Sequence, residues 1–294
     1  MIDFVNYALN GALVGCLYAL VALGFVVIHR ASKVFNFAQG EILALSGFMV
    51  WTFATGLGWP LPAALACSIV TATLLGLAIE RMLFRRLAGA PVFAMVMVTL
   101  GLLVLLRGAM LVVWGAAEKP FPALIPMQPV IVADLILPRA LLFGAAITVL
   151  ITSGLWWTFN NTRIGLRLTA VSEDHQIALS LGVSVQKATA AAWVLGSVIS
   201  VIGAVIYLNG RSISPMSSEI GLAALPVAML AGLESIGGLV VAGILIGVVQ
   251  SLTAAYVDTR IGGSASVIVP YLFMLGVLLV RPAGFFGWKT LERV

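Results

Sequence analysis

Few residues of this chain have the type and spacing that enzymatic chemistry needs. Histidine occurs only at His29 and His175, and the sequence contains neither an HExxH motif nor a Cys/His set at metal-ligand spacing. Cys16 and Cys67 lie in apolar runs, which is typical of small core residues. The phosphate-binding pattern GxxxxGK[ST] is absent, so ATP-driven work by that route has to come from a partner. The sequence therefore predicts a non-enzyme without a catalytic residue, metal site or cofactor of its own.

The composition indicates a protein whose solvent is lipid. Of 294 residues, 62% are hydrophobic and 9% are charged, whereas soluble domains have roughly 45 to 50% and 25%. The net charge of +5 is expected in cytoplasmic loops, so no nucleic-acid partner is needed to explain it. The first ten residues carry Asp3 and no Lys or Arg. We therefore expect the first apolar run to be a permanent membrane span and not a cleavable signal.

Charged residues and Pro/Gly clusters divide the chain into segments of about 20 apolar residues, the length that crosses a bilayer. The predicted spans are residues 6–28, 37–55, 61–79, 91–114, 140–159, 188–208 and 266–280. Residues 212–256 are apolar but interrupted by Pro226 and the glycine-rich run 232–238, which predicts two helices, or half-helices that meet inside the membrane. We expect an all-α polytopic membrane protein with one domain over residues 1–294 and eight or nine transmembrane helices, some broken or re-entrant.

Basic residues predict the orientation of the chain, because cytoplasmic loops retain Lys and Arg. Alternation of the spans places eleven basic residues on one side and four on the other, with Arg107 inside a span. The N-terminus is then outside and the C-terminus cytoplasmic. This arrangement requires that residues 212–256 make two crossings or form a re-entrant pair.

Two ionisable residues lie where the membrane makes charge expensive. Arg107 is about two-thirds along its span, and either snorkels to the interface, pairs with a neighbour or contacts a substrate. Glu234 lies among glycines where a helix has to break, so both a functional role and a place at the membrane edge remain open.

The sequence Asn36-Phe37-Ala38-Gln39-Gly40-Glu41 has the pattern of a helix start. Asn36 is predicted to be the N-cap residue, with Gln39 three positions later and Glu41 near the positive end of the helix dipole. Capping alone explains these residue types. The alternative is that the polar Gln39 and the small Gly40 place this helix end beside a translocation path.

The polar loop 160–187 is predicted to contain a short helix. Ser172 has the properties of its N-cap residue, and Gly182 those of its C-terminal stop. A helix of about ten residues is too short to be stable alone, so it packs either on the membrane domain of the chain or in a groove of a cytoplasmic partner. The residues assigned to this contact are Ser172, Glu173, Asp174, Ile177, Ala178, Leu181 and Gly182.

The order and spacing of several motifs resemble the permease subunits of ABC importers for branched-chain amino acids, of the LivH type, over nearly the full length. The resemblance rests on Tyr18-Ala19-Leu20, Asn36 to Glu41, Ile79-Glu80-Arg81, Arg163-Ile164-Gly165, Glu173-Asp174, Leu181-Gly182-Val183, Gly232, Ser235-Ile236, Gly238, Pro282, Gly284 and Gly287. Departures are Gln39 where the family usually has His, Glu234 where it has Gly, Ala223 in place of a common Lys, and Leu166 and Thr169 where Arg is frequent.

The resemblance implies the partners and the location of the chain. A second homologous permease, two cytoplasmic ATPases that bind the ATP and an external substrate-binding protein are expected, in the lipid of a bacterial inner membrane. Loop 160–187 then seats on an ATPase. The residues assigned to the pathway or the helix break are Asn36, Gln39, Gly40, Glu41, Gly232, Glu234, Ser235, Gly237 and Gly238.

Three functions fit these observations to different degrees. The first is the permease of an ATP-driven importer for branched-chain amino acids or a related small polar solute. The second is a self-contained carrier or channel, which the scarcity of mid-span acidic residues opposes. The third is a membrane scaffold, which the Gly/Pro-broken helix opposes because such breaks usually line a cavity.

Overall fold

A computed structural model describes residues 2–87, 89–132, 135–173 and 184–287, together with Ala178. The helices in these residues are α1 (Ile2–Ser32), α2 (Gln39–Trp51), α3 (Leu61–Met82), α4 (Val92–Trp114), α5 (Arg139–Asn161), α6 (Arg163–Glu173), α7 (Val185–Leu208), α8 (Ile220–Ala231), α9 (Gly238–Thr253), α10 (Thr259–Ile261) and α11 (Ala265–Val280). A π-helical turn, Thr52–Gly56, extends α2, and another, Ala254–Asp258, joins α9 to α10. The predicted all-α fold is confirmed.

Short strands occur only in connections within the described residues. Strand β1 (Lys119–Pro120) pairs antiparallel with β4 (Ser212–Ile213), and β2 (Val130–Val132) pairs antiparallel with β3 (Leu135–Leu137). The first pair ties the α4–α5 connection to the α7–α8 connection at one end of the bundle.

Six helical segments are long and apolar enough to cross a membrane. They are Ile2–Ser32, Leu61–Leu87, Val92–Trp114, Arg139–Asn161, Val185–Leu208 and Gly238–Ile261. Two shorter apolar segments are Pro215–Ala231 and Ala265–Val280. With α2, of 13 residues, these make nine apolar helical segments in the described part of the chain, six of them long enough to cross a membrane by themselves.

Helices α1 and α7 form the centre of the bundle. In the most apolar 18-residue stretch of each helix, 78% of the stretch in α1 and 61% of that in α7 is buried inside the bundle. The corresponding shares are 22% in α4 and 17% in α5. Helix α1 crosses α9 at glycines, where a Cβ atom built on Gly15 would lie 2.1 Å from the carbonyl oxygen of Gly243. Such contacts let helix backbones approach closely where lipid supplies no hydrophobic driving force.

The break in residues 212–256 lies at one place and not at two. Pro226 was expected to interrupt the helix, but it lies inside α8. Proline removes one backbone hydrogen bond and is tolerated in membrane helices when neighbouring elements hold the helix. Helix α8 ends instead at Gly232, whose φ of +78° lies in the region that favours glycine. The prediction of two helices in this region is confirmed, and the breaking role of Pro226 is wrong.

Candidate functional site

The turn between α1 and α2 is held by Asn36, but not as the N-cap residue of α2. Helix α2 begins at Gln39 and Ala38 occupies the cap position without a side-chain hydrogen bond. Asn36 Oδ1 accepts a hydrogen bond from the backbone N–H of Ala38 at 3.1 Å, within the preceding turn. The predicted cap position is therefore wrong, because Asn36 stabilises the turn that leads into the helix.

Gln39 joins three helices instead of completing a capping box. Its side chain is buried, its Nε2 donates to Ser200 Oγ at 2.9 Å, and its Oε1 accepts from Asn36 Nδ2 at 3.2 Å. The amide lies over Gly24, where an added Cβ would be 2.0 Å from Nε2. A buried polar side chain needs such partners, so a local bond to Asn36 and tertiary contacts with α1 and α7 take the place of the predicted capping box.

Glu41 and Arg107 form an ion pair between α2 and α4. Arg107 donates to Glu41 Oε1 through Nη2 at 2.6 Å and through Nε at 3.1 Å, and Nη2 also donates to Ser218 Oγ at 3.0 Å. The Glu41 side chain is 3% exposed and that of Arg107 is 36% exposed. Of the three expectations for Arg107, pairing with a neighbour is the one observed.

The Glu41–Arg107 pair borders a small cavity of about 30 Å³. Its apolar walls come from Phe25, Phe37, Leu103, Leu222 and Leu225. Gly40 and Gly221 complete the site: a Cβ on Gly40 would lie 2.2 Å from the carbonyl oxygen of Ser218, and one on Gly221 would lie 2.5 Å from Gly40 Cα. The N-terminal end of α8 thus rests directly on the start of α2.

The predicted helix break after α8 is observed, and its glycines are needed for close packing. Ser235 Oγ accepts a hydrogen bond from the N–H of Gly238, the first residue of α9. Gly237 faces the ring of Trp156, and a Cβ on Gly238 would lie 2.5 Å from the ring of Phe286. The segment that follows α11 also contacts the break. The N–H of Phe285 in this segment donates a hydrogen bond to the carbonyl of Leu230 at 2.7 Å.

Glu234 forms an ion pair with Lys33, just beyond the end of α1. The two side chains are 35% and 34% exposed, and Lys33 has a φ of +53°. Both charges are about one-third exposed, and the choice for Glu234 between a functional role and a place at the membrane edge stays a prediction.

The structure does not bring all the predicted pathway residues into one site. Gly40 and Glu41 contact the N-terminal end of α8, whereas Gly232 to Gly238 follow its C-terminal end. Helix α8 has 12 residues, which corresponds to about 18 Å at 1.5 Å per residue. Sequence reasoning also missed Ser200, Ser218 and Gly221, because a lone serine or glycine in an apolar run gives no signal of its distant partner.

Loop 160–187 contains a helix that precedes the predicted coupling helix. Helix α6 runs from Arg163 to Glu173, and Thr162 Oγ1 accepts a hydrogen bond from the N–H of Gly165 at its start. Thr162 is thus the N-cap residue of α6. Ser172 is the second-last residue of α6, and its role as the N-cap residue of the next helix stays a prediction because most of that helix lies outside the described residues. Ala178 is buried. The other assigned residues after Glu173, which are Asp174, Ile177, Leu181 and Gly182, lie outside the described residues.

One face of α6 packs on the membrane domain and another remains exposed. Leu168 and Val171 are buried, and the guanidinium of Arg30 lies 3.5 Å from Thr169 Oγ1 and 4.5 Å from the ring centre of Phe159. The exposed side chains are those of Arg163, Leu166 and Arg167. Helix α6 therefore packs on the chain through one face, and the choice between own-domain packing and partner docking for the helix after Ser172 stays a prediction.

Comparison with known proteins gives a match over nearly the whole chain. Residues 7–279 match a family described as the permease component of branched-chain amino acid transport systems. The chain is 27% identical to the high-affinity branched-chain amino acid transport system permease protein BraD of Pseudomonas aeruginosa, covering 99% of this chain and 98% of that protein. It is 26% identical to LivH of Escherichia coli, again over 99% and 98%, and 24% identical to a probable LivH of Methanocaldococcus jannaschii over 97% and 94%. No solved structure matches. The chain belongs to the family of permease components of branched-chain amino acid transport systems.

Proposed function

We propose that this chain is the membrane permease subunit of an ATP-driven importer for branched-chain amino acids or a related small polar solute. The observation that carries the proposal is the family match over residues 7–279. The chain works with a second homologous permease, two cytoplasmic ATPases that bind the ATP, and an external substrate-binding protein. It resides in the lipid of a bacterial inner membrane.

The pathway side of the chain is the contact between α2 and α8. Gly40 and Glu41 contribute the start of α2, and the break from Gly232 to Gly238 lets α8 and α9 move as separate bodies. The remaining assigned residues, Asn36, Gln39, Glu234, Ser235 and Gly237, hold the ends of these helices. Helices broken at glycines are suited to this role because they line cavities and tolerate bending.

Loop 160–187 transmits the ATPase movement. In this proposal Ser172, Glu173, Asp174, Ile177, Ala178, Leu181 and Gly182 contact the ATPase. Helix α6 carries the first two of these residues at its C-terminal end, and its Leu168 and Val171 are buried. Closure of the two ATPases on ATP then shifts α6 and, through it, α1 and α5.

Reconstitution tests the proposed function. In proteoliposomes the chain alone is expected to show neither ATP hydrolysis nor accumulation of L-leucine, because its sequence has no phosphate-binding loop. Both activities are expected when the second permease, the ATPases and the binding protein are added. Leucine accumulation by the isolated chain under a proton or sodium gradient would show a self-contained carrier instead.

The orientation is tested with single cysteines in a background that lacks both native cysteines. In intact cells, cysteines at Ser32 and Ala90 are expected to resist a membrane-impermeant thiol reagent, whereas cysteines at Glu118 and Ser264 are expected to react. The reason is the excess of basic residues on the side of Ser32 and Ala90. Permeabilised cells, in which all four positions become accessible, serve as the control. Labelling of Ala90→Cys from outside contradicts the proposed orientation.

A further inference from the structure

The Glu41–Arg107 pair is placed where lipid cannot be its neighbour. Arg107 lies well inside α4, at residue 107 of a helix that spans Val92–Trp114, yet its side chain is 36% exposed. A charged side chain in contact with hydrocarbon is expensive, and such residues face a bundle interior or a water-filled cavity. The surface around Arg107 therefore faces water or protein in the assembled transporter.

The hydrogen bonds of the pair use only one carboxylate oxygen of Glu41 and two of the three guanidinium nitrogens of Arg107. Arg107 uses Nε and Nη2, and both donate to the same oxygen, Glu41 Oε1. Glu41 Oε2 and Arg107 Nη1 make no hydrogen bond to any residue that the structure describes. A guanidinium has five N–H donors and a carboxylate accepts on both oxygens. Arg107 therefore keeps a hydrogen-bond donor, and Glu41 keeps an acceptor, for a ligand.

The surroundings of the pair match one class of ligand. A positive and a negative group lie side by side, and the aliphatic side chains of Leu103, Leu222 and Leu225 border them. Leu222 is 52% exposed. A zwitterionic α-amino acid with an aliphatic side chain presents the complementary pattern of one carboxylate, one ammonium group and one apolar group.

We infer that Glu41 and Arg107 form a transient binding site for the α-amino acid zwitterion on the translocation path, an inference that rests on the proposed function. The ligand carboxylate binds Arg107 Nη1 and the ligand ammonium group binds Glu41 Oε2, while the aliphatic side chain packs on Leu103 and Leu222. The cavity of about 30 Å³ has room for water but not for an amino acid. Because the Glu41 side chain is 3% exposed, binding of the ammonium group to Oε2 requires that α4 and α8 separate.

A second ion pair of the same chain offers a matched control. Arg85 and Glu80 have nearly the same exposure, 36% and 2%, but Arg85 lies after the end of α3. Arg85 donates to both oxygens of Glu80, at 3.4 and 3.2 Å, and Thr189 Oγ1 lies 3.4 Å from Oε1. Both Glu80 oxygens are therefore already occupied, as in a structural pair.

The first test measures uptake of radiolabelled L-leucine by the complete complex in proteoliposomes, with leucine-loaded binding protein at saturation. We expect Glu41→Gln and Arg107→Gln to lower the uptake rate about tenfold or more, since hydrogen bonds to charged groups are strong. Arg85→Gln leaves the buried Glu80 without its charge partner, so its uptake is scored per assembled complex, where it is expected to stay within about twofold of the unaltered complex. Unchanged uptake by both Glu41→Gln and Arg107→Gln overturns the inference.

The second test does not depend on removing a charge, so it remains decisive if those variants fail to assemble. In complexes without native cysteines, Leu222→Cys is expected to react with a charged thiol reagent, and Leu105→Cys on the opposite side of α4 is not. L-leucine is expected to slow the reaction of Leu222→Cys. Leucinamide and 4-methylpentanoate, each lacking one of the two charges, are expected not to.

The outcomes separate this inference from the proposed function. An unreactive Leu222→Cys, or protection by either singly charged analogue equal to that by L-leucine, overturns the zwitterion site while leucine import by the unaltered complex still supports the importer. Failure of the unaltered complex to import leucine overturns the proposed function itself.

Discussion

Replacing both Ile177 and Leu181 with serine is expected to abolish ATPase association and transport together, while the permease still inserts and accumulates normally. Burial of one such aliphatic side chain contributes about 1.5 to 3 kcal/mol, so losing two weakens the contact on the order of 100-fold or more. Co-purification of the ATPases with the permease and leucine uptake measure the two effects. Replacing Glu173 and Asp174 with lysine is expected to act in the same direction, because positive charges oppose a basic rim on the partner.

Met82→Ser is the control for the coupling prediction, since Met82 is an exposed apolar side chain at the end of α3, 65% exposed, and lies outside loop 160–187. It is expected to leave ATPase association unchanged. The coupling assignment is wrong if the double serine variant is degraded, or fails to pair with the second permease, while ATPase binding per folded complex stays normal.

Replacing Gly221 with alanine is expected to destabilise the bundle and reduce transport at the same time. The new Cβ would lie 2.5 Å from Gly40 Cα and 2.8 Å from Gly40 N, and backbone atoms cannot move aside as a flexible side chain does. Overpacking of this kind costs about 1 to 3 kcal/mol. Helix α8 has to shift away from α2, which also displaces Ser218 from Arg107.

Gly101→Ala is the matched control for Gly221→Ala. Gly101 lies in α4, and apart from its chain neighbours and the nearby backbone of its own helix no atom of the described residues lies within 4 Å of a Cβ built there. Since alanine is favoured over glycine inside a helix by about 0.5 to 1 kcal/mol, this variant is expected to be neutral or slightly stabilising. Thermal unfolding of the purified complex and leucine uptake distinguish the two variants. Equal unfolding midpoints for both contradict the packing argument at the contact of α2 with α8.

The spans were predictable because hydrophobicity and length are local properties. Residues 91–114 were expected to form one span, and α4 covers Val92–Trp114. Residues 188–208 were expected to form another, and α7 covers Val185–Leu208. A run of about 20 apolar residues has to satisfy its backbone hydrogen bonds within itself in lipid, and a helix does this without reference to the rest of the chain.

Helix starts were predicted less well, because a polar side chain can bond either its own helix or a distant one. Asn36 has the side chain of an N-cap residue, yet Ala38 occupies the cap position of α2. Gln39 has the spacing of a capping box, but its amide bonds Ser200, 161 residues away. The competing partner was not visible from local sequence.

By itself, the sequence determined that this protein is helical and membrane-embedded, and its motifs indicated the family. Only the tertiary structure decided which charges meet: Glu41 bonds Arg107 across 66 residues, and Glu234 bonds Lys33 across 201. These pairs depend on which helices pack together, and that packing depends on glycines such as Gly15 and Gly243 that allow backbones to touch. A glycine in an apolar run does not reveal its partner helix, so the ion pairs follow from the packing of the whole bundle and not from any local pattern.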